Sequence, residues 1–470
     1  MSTRGHRQNL RRAMLPALDH GQDGHATASR RAIARRKMET RTKCHTPENP
    51  PFYLSGFSSH RWPRYNARAG VMKREPRVNL KDKSMDRRDF LRSVALTAGA
   101  ARSAGGMSVP MAGEPLPVPR QIKMFNIDFN WRGDKFAPPG YWAGTPPEAH
   151  VQWCESLGAN VIHASTVSCN GYAWYKRGFA PPEPGLAHDF FPEMIRLARR
   201  KNIIVTGYFC VGANTKWGQD HPDLSYGTPS TIHIPLTDEY LDYLTKSISD
   251  AIDKTGMEVC TIDWLWNPGA HGTVYHPSGE PREKRWLDCE KKLFTQLTGQ
   301  RFPAAGVPNA EDKLAYERLA IDHCWDRIRD ARDRTNRQCA LCIWMNHADD
   351  PTIAGSKVFR EVDWFINENP DARLLELARK LVRKDARLIQ NLGGWANHDA
   401  MAFLSDPAHR AVDLCGFAEP HDDGLPSPVE EYLRKPLSAF KHTDRLTANE
   451  YNIAVLARAY RGLPLDAVIN

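Results

Sequence analysis

Met257 to Pro268 reads MEVCTIDWLWNP. Val259, Thr261 and Ile262 are β-formers, Met257 and Cys260 are apolar, and Asn267-Pro268 closes the run. This is the pattern of a short buried strand. At its C-terminal end stands an acid, Asp263, followed by Trp264, Leu265 and Trp266. An ionised carboxylate costs several kcal/mol to bury without partners. Asp263 is therefore either a structural acid held by backbone N–H groups or an arginine, or an acid placed for chemistry. The rest of the chain bears on the choice, because other strand-like stretches end in the same way.

Working outward, residues 122–131 form a first strand candidate with Asp128 near its end. Residues 160–167 and 203–211 are the next two, and the Asp263 stretch is the fourth. Residues 339–345, 362–366, 386–392 and 412–417 follow, and the polar ends Asn367-Glu368-Asn369, Gly393-Gly394-Trp395 and Ala418-Glu419-Pro420 come after the last three. Between the strands lie segments of helical period, at 147–157, 190–201, 238–254, 372–383 and 444–461, and two in an insertion at 284–298 and 311–336. Val429 to Phe440 is a further helix broken by Pro436. Eight strands alternating with helices predict a parallel sheet. Eight repeats over this length fit a single (β/α)₈ TIM-type barrel, placed at residues 115–470 with no appended β-sandwich. The active site of such a barrel lies at the C-terminal ends of its strands. No Gly-rich nucleotide loop and no GxSxG elbow occurs.

The formal net charge of +9 is misleading about partners. Residues 1–84 hold 19 Lys and Arg against 6 Asp and Glu, which leaves the remainder mildly acidic. A nucleic-acid partner is not expected. The ten Cys are scattered and read as free, mostly buried thiols; Cys339 and Cys342 fall in one strand-like run, facing opposite ways. No apolar run is long enough to span a membrane.

Residues 1–84 lack sustained apolar periodicity and read as a disordered basic extension. Residues 85–114 begin Met85-Asp86-Arg87-Arg88-Asp89-Phe90-Leu91, and an apolar stretch with Ala98 and Ala100 follows. This is the pattern of a bacterial twin-arginine signal peptide. It belongs at an N-terminus, so Met85 is read as the true start. Expected consequences are a periplasmic or secreted mature protein, the twin-arginine translocation machinery as a partner, and no membrane anchor in the mature form.

The acids at strand ends are Asp128, Asp263, Glu368 and Glu419. Two carboxyls across a barrel mouth suit glycoside hydrolysis: one attacks or activates water, the other protonates the leaving oxygen. Asp263 and Glu368, on the fourth and sixth strands, are the expected catalytic pair. Asp128, Trp131, Trp174, Tyr208, Trp217, Trp264, Trp266, Asn367, Trp395 and Glu419 are the expected substrate-binding residues, because thirteen Trp and fourteen Tyr give a sugar many faces to stack on. No cofactor and no metal is expected. Two alternatives stay open: a carbohydrate-binding barrel without catalysis, and a metal-dependent barrel hydrolase or isomerase using His163, His271, His276, His347, His398 and His421.

Residues 160–217 resemble the front half of the α-L-fucosidase-like barrels among retaining glycoside hydrolases. The shared order is a strand, a turn with Asn170-Gly171-Tyr172-Ala173-Trp174, a helix, then a strand with Gly207-Tyr208 leading to Trp217. The resemblance implies a retaining glycosidase with Asp263 as nucleophile. The Cys289, Phe294 and Gly299 spacing, followed by a helix with Tyr316 and Trp325, is similar to uncharacterised glycosidase-like families. One departure bears on the sugar: those fucosidases carry a His-His pair before the turn, where this chain has Ser168-Cys169.

Overall fold

The computed structural model describes residues 115–470 except 134, 227–232, 266–285, 394–397, 410, 441–444 and 470. The basic extension, the signal-like segment, Trp266, Trp395, His271 and His276 lie outside the described residues.

Eight parallel strands close into a barrel. They are β1 (Lys123–Ile127), β2 (Val161–Val167), β3 (Ile204–Cys210), β4 (Val259–Asp263), β5 (Ala340–Met345), β6 (Trp364–Asn367), β7 (Arg387–Asn391) and β8 (Asp413–Ala418). Each pairs with its sequence neighbours, and β1 closes the ring against β8. The helices run α1 (Pro147–Leu157), α2 (Phe190–Arg199), α3 (Thr215–Asp220), α4 (Asp238–Thr255), α5 (Asp288–Thr298) and α6 (Ala310–Thr335). They continue as α7 (Val358–Glu361), α8 (Ala372–Leu381), α9 (Ala400–Ser405), α10 (Val429–Arg434) and α11 (Arg445–Tyr460). None is long and apolar enough to cross a membrane.

The helices form because their apolar residues recur at three and four positions. In α2, Phe190, Phe191, Met194, Ile195 and Ala198 are buried while Arg196 faces outward. α1 and α4 each end at a glycine in the left-handed region, Gly158 (φ 89°) and Gly256 (φ 64°), where a side chain would be strained.

Strand alternation divides the core in two. Met124, Val161, Ile204, Val259, Cys342, Trp364, Ile366, Ile389 and Cys415 meet inside the barrel, and their strand neighbours pack against the helices. The stagger between paired strands sorts inward side chains into layers of four from alternate strands. One layer holds His163, Thr261, Ile366 and Cys415. The next toward the C-terminal end holds Asn126, Tyr208, Trp344 and Asn391. Above that come Ser165, Asp263, Glu368 and Phe417.

At the opposite end the strand starts are pinned by side chains. Asp413 Oδ1 accepts from the Ile122 amide at 2.7 Å, and its carboxylate is held by Arg387 through two bonds of 2.7 Å. Asp363 does the same for the Leu341 amide, with Arg383 at 2.6 Å. These groups satisfy amides that the sheet leaves unpaired.

The first strand is shorter than its sequence pattern. β1 ends at Ile127, and Trp131–Arg132 instead pairs with Lys135–Phe136 in a small antiparallel ribbon. The described cysteines are free thiols; Cys339 packs on the helix side and Cys342 inside the barrel.

Candidate active site

β4 delivers Asp263 and β6 leads into Glu368, both on the inward parity. With β5 between those strands, the two acids are neighbours in one layer. Asp263 Oδ2 accepts from the Tyr208 hydroxyl at 3.0 Å, and Oδ1 accepts from the Trp264 amide at 2.7 Å. Burial pushes the Asp263 carboxyl up to about 7; those two donors pull against it, and the charge of Asp128 adds to the rise. Burial pushes Glu368 up to about 8; the charges of Asp263 and Asp128 add to it, and a hydrogen bond from Trp344 opposes it. Two like carboxyls in one desolvated layer cannot both ionise freely. The pair gives up its first proton from Asp263, which has two strong donors.

Asp128 follows β1 and is buried; its Oδ1 accepts from the Asn130 amide at 2.9 Å and from Asn130 Nδ2 at 2.8 Å. Asn130 in turn reaches Ser165 Oγ at 3.3 Å and accepts from the Cys169 amide at 3.0 Å. This chain ties β1 to the loop after β2.

One wall of the mouth is aromatic. The ribbon carries Trp131 and Phe136 toward Trp264, at ring separations of 6.2 and 5.8 Å. Trp264 has φ 56°, a left-handed conformation that costs a non-glycine residue about 1–2 kcal/mol. Its ring stacks on His233 at 5.4 Å. Strain beside a reacting group is a feature of functional sites. Tyr208 also contacts the Cys169 thiol at 3.3 Å.

The structure brings together Asp128, Trp131, Tyr208, Asp263, Trp264 and Glu368. Glu419 lies at the rim on the inward parity of β8, where its Oε2 accepts from the Gly133 amide at 3.3 Å. Three expected sugar contacts lie elsewhere. Trp174 is buried in the outer core against Phe129, with ring centroids 4.6 Å apart, because the Asn170-Gly171 turn folds it inward under α2. That turn needs glycine: Gly171 has φ 89°, and a Cβ there would come within 2.1 Å of Asn214 Oδ1. Trp217, in α3, stacks on His221 at 4.1 Å and packs on Tyr240, so neither face is free. Asn367 has the outward parity; its Nδ2 donates to Gln390 Oε1 at 2.8 Å and to the Asn369 carbonyl, so it braces β6 against β7. Sequence reading missed Asn126, Ser165, Trp344 and Phe417. Strict alternation back from Asp263 and Glu368 to the strand starts is the signal that finds such residues.

The fold and the mouth together define a closed (β/α)₈ barrel with a desolvated carboxyl pair at its C-terminal end. No family model and no curated protein matches the sequence. Solved structures do. An α-L-fucosidase isoenzyme from Paenibacillus thiaminolyticus matches with a TM-score of 0.48 at 14% identity, over 71% of this chain and 48% of its own. A chitobiase from Flavobacterium johnsoniae matches at 0.41 and 12%, over 72% and 48%. An exo-β-N-acetylglucosaminidase from Vibrio harveyi matches at 0.39 and 10%, over 71% and 54%. These neighbours are glycoside hydrolases at low identity, and this chain spans about half the length of the first two.

Proposed function

We propose that this protein is a glycoside hydrolase in which Asp263 is the nucleophile and Glu368 the general acid/base. The observation that carries the reading is the carboxyl pair on β4 and β6, in one layer, with Glu368 raised to about 8 and Asp263 held by Tyr208 and Trp264. At neutral pH Asp263 is the member that ionises, and Glu368 keeps its proton. Asp263 attacks the anomeric carbon as Glu368 protonates the departing oxygen and the glycosidic C–O bond breaks. The glycosyl ester is then cleaved by water, whose proton passes to Glu368, and configuration is retained. The aromatic wall of Trp131, Phe136 and Trp264 offers apolar faces to the substrate beside Asp263. Residues 85–114 are proposed to export the folded barrel by the twin-arginine route.

A panel of activated aryl glycosides tests the chemistry. Asp263→Asn should remove turnover by several orders of magnitude while the protein still melts cooperatively. Glu368→Gln should spare good leaving groups more than poor ones and regain rate with azide. An activated 2-fluoro sugar should add one glycosyl unit to the wild type and none to Asp263→Asn. Wild-type turnover in both variants would sink the assignment. A wild type that binds sugar and cleaves none would leave a binding barrel in its place.

A further inference from the structure

We infer that Asn126 is a specificity-determining residue whose side-chain amide hydrogen-bonds a hydroxyl of an uncharged sugar ring at the floor of the mouth. The inference deepens the glycosidase reading above and uses the same site.

β1 alternates Ile122, Met124, Asn126 and Asp128 toward the barrel interior. The first two fill the core as expected of a parallel strand. Asn126 does not fit that role. It is 7% exposed, and among the described residues its carboxamide has no hydrogen-bond partner. A polar side chain buried to that degree is ordinarily satisfied. Its neighbours are engaged with one another: His163 Nδ1 pairs with Thr206 at 2.7 Å, and Ser165 accepts from Asn130.

The remaining exposure shows where the open space goes. In the layer of Asn126, Tyr208 keeps 5% and Trp344 7%, while Asn391 keeps none; in the layer above, Ser165 keeps 6% and Phe417 5%. One layer down, His163 keeps 1% and Thr261, Ile366 and Cys415 none. The recess below the carboxyls therefore ends at the layer of Asn126. A carboxamide offers one acceptor and two donors, which matches a hydroxyl in either sense. Phe417, paired with Asn126 on the adjacent strand, and Trp344, across the barrel on β5, supply apolar walls. The described inward residues of these layers include no Lys or Arg, and they do include Asp263 and Glu368, with Asp128 one layer further up. An anionic sugar is repelled there, and a neutral one is not.

The test is direct binding of monosaccharides to the full chain, followed by intrinsic Trp fluorescence. A neutral monosaccharide should bind, and one of its monodeoxy analogues should bind about ten- to a hundredfold more weakly. Asn126→Ala should weaken the parent sugar by the same factor and leave the affinity for that deoxy analogue unchanged. Asn126→Ser, which keeps a shorter hydrogen-bonding group, guards against an alanine variant that does not fold and should fall between. Equal binding of the parent sugar to wild type and both variants would overturn the inference. So would tighter binding of the corresponding uronic acid, or no monosaccharide binding at all. Sugar binding lost in Asn126→Ala, with no glycoside cleaved by the wild type, would refute the catalytic reading alone.

Discussion

The Tyr208 hydroxyl donates to Oδ2 of Asp263 across 3.0 Å, from the layer below the acid it serves. That bond stabilises the ionised carboxylate against its own burial. Tyr208→Phe should therefore raise the Asp263 pKa above about 7, toward that of Glu368. The pH profile of kcat/KM should narrow from its acid side, with the alkaline limb in place. An unchanged acid limb would show that the hydroxyl does not act on Asp263.

Asp263 should make the native protein less stable at neutral pH. Its folded pKa, about 7, lies above the ordinary 3.8. The folded state then binds the proton more tightly than the unfolded one. The stability this confers is complete below the unfolded pKa and is lost as pH rises through the folded one. Asp263→Asn should be the more stable form at pH 8 by about 1–3 kcal/mol, a figure reduced for partial exposure. Chemical denaturation at pH 8 and pH 5 measures it, and the difference should shrink at the lower pH.

His150 should act in the opposite direction. Burial lowers its pKa to about 3, and it sits edge-on to Phe129 and Phe190 at 5.6 Å with neither ring nitrogen bonded. Here the unfolded state binds the proton more tightly. Stability is intact above the ordinary 6.5 and is lost as pH falls toward the folded value. At pH 5 the loss should be about 2 kcal/mol. His150→Phe should flatten the acid side of the stability curve by that amount.

Arg387→Ala should cost about 3–5 kcal/mol, because it leaves the buried Asp413 carboxylate without its cation. Turnover measured well below the melting temperature should not change, since the pair sits at the end of the barrel away from the carboxyls. A loss of both stability and kcat would mean that the two ends are coupled.

Arg87→Lys with Arg88→Lys should hold the precursor in the cytoplasm. Fractionation followed by N-terminal sequencing reads the outcome. Normal export of the double variant would remove the twin-arginine proposal.

The strand ends were legible because a buried parallel strand is a short β-branched run, and the polar residues that close it stand out. Asp263 and Glu368 could be assigned to β4 and β6 in that way. Facing direction was not legible at the ends themselves. Asn367 and Glu368 are adjacent and equally polar, and only the inward placement of Trp364 and Ile366 tells which one reaches the mouth. Aromatic residues near strand ends are ambiguous for another reason. Trp174 and Trp217 follow strand ends as Trp264 does, but Trp174 is folded inward under α2, and Trp217, within α3, is covered by His221 and Tyr240. Long-range packing decides that, and no local pattern records it.

The layer of His163, Thr261, Ile366 and Cys415 is a plug, and a plug sets the direction of traffic. A sugar that enters above it has one way out. On the proposed reading the leaving group must depart first, since it lies between the bound sugar and solvent. Water then arrives by the vacated path, and the sugar leaves last. The plug leaves the order of release that the covalent step already requires without a second exit to bypass it. On that reading, free sugar at high concentration occupies the position that the next substrate needs, and turnover should be slowed competitively by the second product.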